Sequence, residues 1–519
     1  MKRYWAFLML ALIFLLSHRT APAQVSAAEA QLNGSVRDQT GSVIVKASVA
    51  LRNVDTNQVY KASSNNAGFY ILTNVPPGNY EFTAESQGFA KYSQTGIVLR
   101  VAQVATIDVT LKVTSEQQIV VSAEAPVIEP TRTEVSQVVE TRQIQALPIS
   151  GRLFTDFALL SPGVTTGRIS LQSTFTDPSV TRISFGGQRD LNNSVTVDGA
   201  DNINTATGSQ RATPSQEAVS EFRVVNNSFG AEYGRALGGI VNIVTKSGTN
   251  DVHGSVYEYF MNNKLNATTL LTQPGFDTFR QNQFGATLGG PLKKDKTFYF
   301  LNYEGQRKGQ SPQFPGLLVA NLGTINAVKA SFGIQPENLN VLKTADVDNG
   351  FVKMDHQLSE RNRLSARYSI QDATDLNMLV GETLDGGGIG APSSGRNGEL
   401  RDQALVGTLT TTLSENKVNS ALVQWARRNY GFAGVTGQPN LDVPNLILLG
   451  HNFGAFDRYN ETRIQGSDTF SIVKGKHYAK FGFDTNYVRN FVIWPGFTPA
   501  RVIFPSLDDL LASGKANWG

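Results

Sequence analysis

Five histidines, at positions 18, 253, 356, 451 and 477, are the first residues to test for chemistry. A hydrolytic zinc centre needs His and Glu ligands at close, regular spacing, as in H-E-x-x-H on one helix face. No such run occurs, and the histidines are scattered singly, so no metal is expected. Neither G-x-S-x-G, which would expose a serine nucleophile, nor a Walker A phosphate loop is present. Cysteine is absent, which removes thiol catalysis, thiolate metal sites, disulfides and a lipidated N-terminal cysteine. The net charge of +3 over 519 residues comes without any basic run, so nucleic acid is not an expected partner. The enzyme reading fails on its ligands: no catalytic residue and no cofactor are expected.

What remains is chemistry done by backbone, glycine and buried charge. The run Glu116, Gln118, Ile119, Val120, Val121, Ser122 and Ala123 is β-prone and sits beside the proline-marked stretch "EAPVIEPTRTEVSQ". On physical grounds it is either an edge strand or a tether, and an exposed strand of this kind can add to a partner's sheet. A second constellation starts at Asp198-Gly199, a dipeptide suited to a tight hairpin turn. It continues through Tyr233-Gly234-Arg235 and Gly238-Gly239 into the strand Val241–Lys246, which carries Asn242. Glycines there permit backbone angles and close approaches that bulkier residues forbid. Arg235 is either a solvated turn charge or a buried guanidinium that must find a partner.

The elements that position these residues fall into zones, and the fold class they imply is mainly β. Residues 1–23 have a basic start, an apolar stretch from Trp5 to Leu16 and a closing Ala21-Pro22-Ala23, the layout of a cleaved signal peptide. That apolar stretch is shorter than the roughly 20 residues a spanning helix needs. Residues 31–113 alternate apolar and polar side chains between turns at Gly41, Gly68 and Pro76-Pro77-Gly78, which predicts a small antiparallel sandwich. Residues 114–126 form a linker. Residues 127–248 mix a helical pattern after Ser150, a short helix after Pro214 and strands, an α+β reading.

From residue 249 onward, strands are expected near 254–262, 279–290, 297–306, 350–358, 362–370, 400–412, 417–428, 461–473 and 477–490. Short gaps alternate with long ones, as in an antiparallel transmembrane β-barrel with tight turns at one end and long loops at the other. In "RLSARYSI", Leu364, Ala366, Tyr368 and Ile370 share one face, and Arg363, Ser365, Arg367 and Ser369 share the other. An arginine on the lipid face at the midplane costs about 2–4 kcal/mol, so the arginine face must look inward. Tyr299 and Tyr303 share one face of their strand, a placement that suits an interfacial aromatic girdle.

These stretches also carry a resemblance. Gly34, Val36, Asp38, Gly41 and Ala47, with "GFYILTNVPPGNYEF" and Gly88-Phe89, resemble the carboxypeptidase regulatory-like (transthyretin-like) domain. Asp198-Gly199, Glu217 to Val225, Tyr233-Gly234-Arg235, Gly238-Gly239 and Val241 to Lys246 resemble the plug of TonB-dependent receptors. "NQFGATLGGPLKKDKTFYFLNYEGQR", "MDHQLSERNRLSARYS" and "KGKHYAKFGFDTNYVRN" resemble the Oar-like branch of those receptors, which carries the same N-terminal sandwich. The resemblance implies that Glu116 to Ala123 is a TonB box, and that the plug motif is Asp198, Gly199, Arg235, Gly239 and Asn242. It further implies an outer-membrane location, a TonB-like energising partner in the periplasm, and import of an unidentified extracellular ligand. The alternative is an adhesion or signalling protein that uses the barrel as a mount, with a secreted soluble binder third. Plugged receptors have about 22 strands, against the nine read here. The chain is therefore expected to be an N-terminal fragment holding only part of the barrel.

Overall fold

The computed structural model describes residues 28–514, apart from 114–118, 123–133, 148, 150, 151, 167–182, 206, 207, 209, 227, 228, 231, 268–271, 380–388, 452–457, 476, 495 and 497. The expected signal peptide, the helix start at Ser150 and the residues Glu116, Gln118 and Ala123 lie outside the described residues.

The alternation in the first zone folds into two packed sheets. In one, Ala30–Asp38 pairs antiparallel with Phe69–Val75 and parallel with Val104–Thr106 and Val109–Leu111. The other runs in the order Val59–Ser63, Ser48–Asn53, Gly78–Glu85, Tyr92–Leu99 and Ile119–Ser122. Leu32, Val49, Leu51, Tyr80 and Phe82 fill the space between them and are fully buried. Each such side chain contributes about 1.5–3 kcal/mol of burial. Gly34 is required: a Cβ there would lie 1.8 Å from the Ile107 carbonyl oxygen. The sandwich is not wholly antiparallel as expected. Single extended segments after residue 100 return along existing edges, and side-chain periodicity carries no information on strand direction.

The second zone is an inner domain. Its sheet runs Ser136–Glu140, Val219–Asn226, Gly239–Thr245, Ser194–Val197 and Ala200–Asp201. Gly239–Thr245 is buried along its whole length. Ile144, Phe154, Phe157 and Phe222 share its apolar core, while Asp198, Asp201 and Thr245 turn to the wall described next. The helical pattern near 150–160 becomes a 3-10 helix, Phe154–Leu160, and the helix after Pro214 a single 3-10 turn, Gln216–Ala218.

The third zone is one continuous antiparallel sheet: β1 (His253–Asn262), β2 (Phe279–Lys293), β3 (Thr297–Gln310), β4 (Lys343–Ser359), β5 (Asn362–Met378), β6 (Arg396–Ser414), β7 (Lys417–Gly434), β8 (Arg458–Lys474) and β9 (His477–Ile493). All nine expected strands are present, and most run further than expected at their long-loop ends. β6 has 19 residues, whereas a tilted spanning strand needs about 9–11. The surplus projects beyond the bilayer, where neither face has to be apolar and the alternation that reveals a strand fades. Outward positions carry Phe260, Leu301, Tyr303, Val352, Leu405, Val423, Trp425, Phe481 and Phe483. Such a belt suits lipid. The sheet is open, and β1 and β9 are its edges.

At the long-loop end, the connections between strands and the segment after β9 fold into a cap. Leu318, Ile325, Val443, Ile447 and Leu510 pack together there. Lys329 and Glu337 form a fully buried ion pair beneath it. Ser393 donates its backbone N–H to Glu337 at 2.9 Å.

Candidate functional site

Charges that the sheet cannot show to lipid are spent on the inner domain. Asp198 and Gly199 both have positive φ, 48° and 82°, in the hairpin joining Ser194–Val197 to Ala200–Asp201. That turn presents the Asp198 carboxylate to the wall. Arg367 of β5 reaches it at 3.0 Å and Lys353 of β4 at 3.5 Å. Thr245 donates its backbone N–H and its hydroxyl to the same carboxylate, at 3.0 and 2.7 Å. Burial alone would raise the Asp198 pKa, but the two cations and the Thr245 bonds outweigh it and hold the carboxyl below its ordinary value.

The pattern repeats around the sheet. Asp201 pairs with Arg463 of β8 at 2.5 Å and accepts, through its backbone oxygen, from Gln424 of β7 at 3.2 Å. Arg211 pairs with Asp402 of β6, which also takes Arg428 of β7 at 2.9 Å. Thr205 donates its N–H to Glu461 of β8 at 3.0 Å, and the Ser215 hydroxyl to Asn302 of β3 at 2.7 Å. On β1, Tyr259 lies under the Arg152 guanidinium at 3.6 Å, while Arg152 pairs with Glu217 at 2.9 Å. The inner domain is thus held mainly by hydrogen bonds, ion pairs and one cation over a ring, spread over most of the strands, with two small apolar contacts, Ala200 against Val406 and Leu422 and Ala218 against Phe300 and Phe351. A buried charge of this kind is tolerable only while paired.

The sandwich docks under the short-turn end. Glu29 pairs with Arg363 of β5, which also donates to the Tyr60 hydroxyl at 3.0 Å. Asn57 donates to Asp295, in the turn between β2 and β3, at 2.9 Å, and Asn250 donates to the same carboxylate at 2.7 Å. Asn65 donates to the Gly475 carbonyl between β8 and β9 at 2.6 Å. Against the inner domain, Val101 gives its N–H to Glu221 and accepts from Arg223 at 2.9 Å. Burial pushes the Glu221 carboxyl up to about 7, only partly opposed by the Val101 N–H and Arg100.

The residues singled out by sequence separate into groups. Asp198 and Gly199 form the turn at the wall. Asn242 is buried within the inner sheet, accepting from Thr196 at 2.9 Å and donating to Tyr233 at 3.2 Å. Gly239 lies against Phe185, whose ring a Cβ would meet at 2.2 Å. Arg235 has φ 56° and meets Asp201 at 2.6 Å and Asp484 of β9 at 3.6 Å. Its side chain is 57% exposed, so it is both a partly solvated turn charge and a contact to the wall. Ile119 to Ser122 pair in parallel with Tyr92 to Thr95 of the sandwich, as an edge strand. The lone histidines have local roles: His356 contacts Thr297 at 2.8 Å and His451 the Thr436 carbonyl at 2.7 Å. Among the described residues, no group of three or more His, Asp or Glu is placed to hold a metal ion.

Arg211, Asp402, Arg428, Glu461 and Arg463 were not singled out by sequence. The wall members of this set, Asp402, Arg428, Glu461 and Arg463, sit mostly between polar neighbours such as Arg401, Gln403, Arg427, Asn429, Asn460 and Thr462, so the alternation that turned Arg363 and Arg367 inward does not find them. Arg211 lies in an irregular polar stretch and carries no such signal.

A sheet with a lipid-suited outer belt, wrapped around a polar-bonded inner domain, defines a membrane β-barrel wall with a domain in its lumen. The chain belongs to the outer membrane beta barrel domain family, whose model matches residues 244–326 and 318–505; the carboxypeptidase regulatory-like domain matches residues 31–112. Its place is the outer membrane. The TonB-dependent transporter Oar of Myxococcus xanthus is 28% identical over 252 residues, which are 46% of this chain and 23% of that protein. Among solved structures, the outer membrane transporter YddB of Escherichia coli is similar at 11% identity and TM-score 0.48, covering 69% of this chain and 48% of that one. The siderophore receptor PirA of Acinetobacter baumannii gives 16% and 0.47, covering 70% and 49%. The chain therefore spans about a quarter of the curated relative it matches and about half of each of these solved ones.

Proposed function

We propose that this protein is a TonB-dependent receptor and transporter that binds an extracellular ligand and imports it with energy from an inner-membrane partner complex. In this reading residues 1–23 are the export signal, 127–248 the plug, and Glu116 to Ala123 the peptide gripped by a TonB-like partner. The observation that carries it is the way the plug is held. An inner domain fastened by Asp198–Arg367, Asp201–Arg463 and Arg211–Asp402 has its bonds where water can replace them once it shifts. An apolar seam would have to be exposed instead. A four-residue strand on a sandwich edge suits capture by β-augmentation.

Deleting residues 116–123 tests the mechanism. Uptake should be abolished while ligand binding at the cell surface persists. Uptake that survives the deletion refutes it. A second reading, a surface adhesion or signalling protein on a barrel mount, is favoured by the cap, whose apolar core and buried Lys329–Glu337 pair make it a folded unit. Cells lacking the protein would then lose attachment or signalling and no nutrient.

A further inference from the structure

We infer that the N-terminal sandwich is a second stopper, latched across the short-turn mouth of the barrel beneath the plug, and that it must swing away before anything leaves the lumen. Its purpose rests on the transport reading above; its geometry rests on contacts alone.

The fastenings are spread over the mouth and do not hang from one side. Arg363 points inward from β5, so the Glu29–Arg363 pair lies inside the opening, with side chains only 12% and 13% exposed. Asn57 and Asp55 hold the passage between plug and wall: Asn57 donates to Asp295, and Asp55 accepts from the Asn250 N–H at 2.9 Å. Asn65 reaches Gly475, six strands further along the sheet. Val101, between Glu221 and Arg223, ties the same domain to the plug. Behind these contacts lies a partly open cavity of about 350 Å³, lined by residues of all three units, among them Glu29, Lys246, Asp355, Arg363 and Ser365.

The latch is built to release. Every one of these contacts is a hydrogen bond or ion pair, whereas permanent interfaces are more apolar. The sandwich has its own core, from Leu32 to Leu111, so it can move as a rigid body. The strand Ile119–Ser122 rides on its edge, paired with Tyr92 to Thr95. A pull on that strand loads the sandwich before the plug.

The chain has no cysteine, so Ser365→Cys in the full chain places one reporter thiol on the cavity wall. Its labelling by a membrane-impermeant maleimide, applied from the periplasmic side of outer-membrane vesicles, should be slow. Adding Glu29→Ala should speed it about tenfold, as expected when a closed state gives way to an open one. Adding Asn57→Ala instead, a change at an exposed turn tip whose own side chain is not part of the cavity lining, should also speed it. Retained heat-stable migration of the barrel excludes loss of fold as the cause. Equal, fast labelling with the latch intact, or no acceleration by either change, overturns the stopper. The readout needs no cargo, so it is decided separately from the 116–123 deletion.

Discussion

Asp198, at the tip of a plug hairpin, and Arg367, on the inner face of β5, meet at 3.0 Å with Lys353 closing the same carboxylate from β4. One side chain thus ties the plug to two neighbouring wall strands. Because Asp198 is held below its ordinary value of 3.8, its contribution is fully present above pH 3.8 and is lost as pH falls through the lowered folded value. Plug seating should therefore be insensitive to this group between neutral pH and pH 4. Asp198→Asn should weaken it at every pH above that. Protease resistance of the plug, followed against pH in both forms, measures the difference.

Asp402 should matter more than any other single wall residue. It pairs with Arg211 and Arg428, both 1% exposed. Asp402→Ala removes a carboxylate shared by two buried guanidinium groups, a loss of about 3–5 kcal/mol. Arg235→Ala, by contrast, removes a half-exposed side chain, and exposed pairs contribute about 0–1 kcal/mol. Denaturant midpoints of the two variants in detergent should rank in that order.

That ranking marks how far the sequence can be read. The nine strands were legible because lipid on one side and polar partners on the other force a two-residue period, as in Leu364 to Ile370. Strand ends outside the bilayer, such as Lys343 to Asn349 of β4, were not, since water on both faces relaxes that pattern. Asp198 and Gly199 were legible through turn chemistry. The partner of each buried charge was not, because Arg211 and Asp402 are 191 residues apart and only the fold brings them together.

The seam between sandwich and plug should respond to pH in the opposite sense to Asp198. Glu221 faces Arg100 at 3.7 Å, the Val101 N–H and, through Arg100, Glu140. Its carboxyl is raised from an ordinary 4.5 to about 7 by burial. The docked state then binds a proton that the undocked state has released, so docking weakens as pH rises from 4.5 to 7 and levels off above that. Cross-linking yield between sandwich and plug should be higher at pH 5.5 than at pH 8 by this linkage. Glu221→Gln should remove the dependence.

Arg152 should not be replaceable by lysine. Its guanidinium lies over the Tyr259 ring at 3.6 Å while pairing with Glu217 at 2.9 Å. A planar fork can stack and pair at once, whereas an ammonium is a strongly hydrated point charge. The stacked contact contributes about 0.5–2 kcal/mol when partly desolvated. Among the described residues β1 pairs with β2 alone, and Arg152 gives it a contact to the inner domain. Arg152→Lys should keep the pairing to Glu217, lose the stack, and raise hydrogen exchange along His253–Asn262 while leaving β5 and β6 unchanged. Uniform acceleration across the whole sheet would mean that Arg152 stabilises the plug itself and not the first strand.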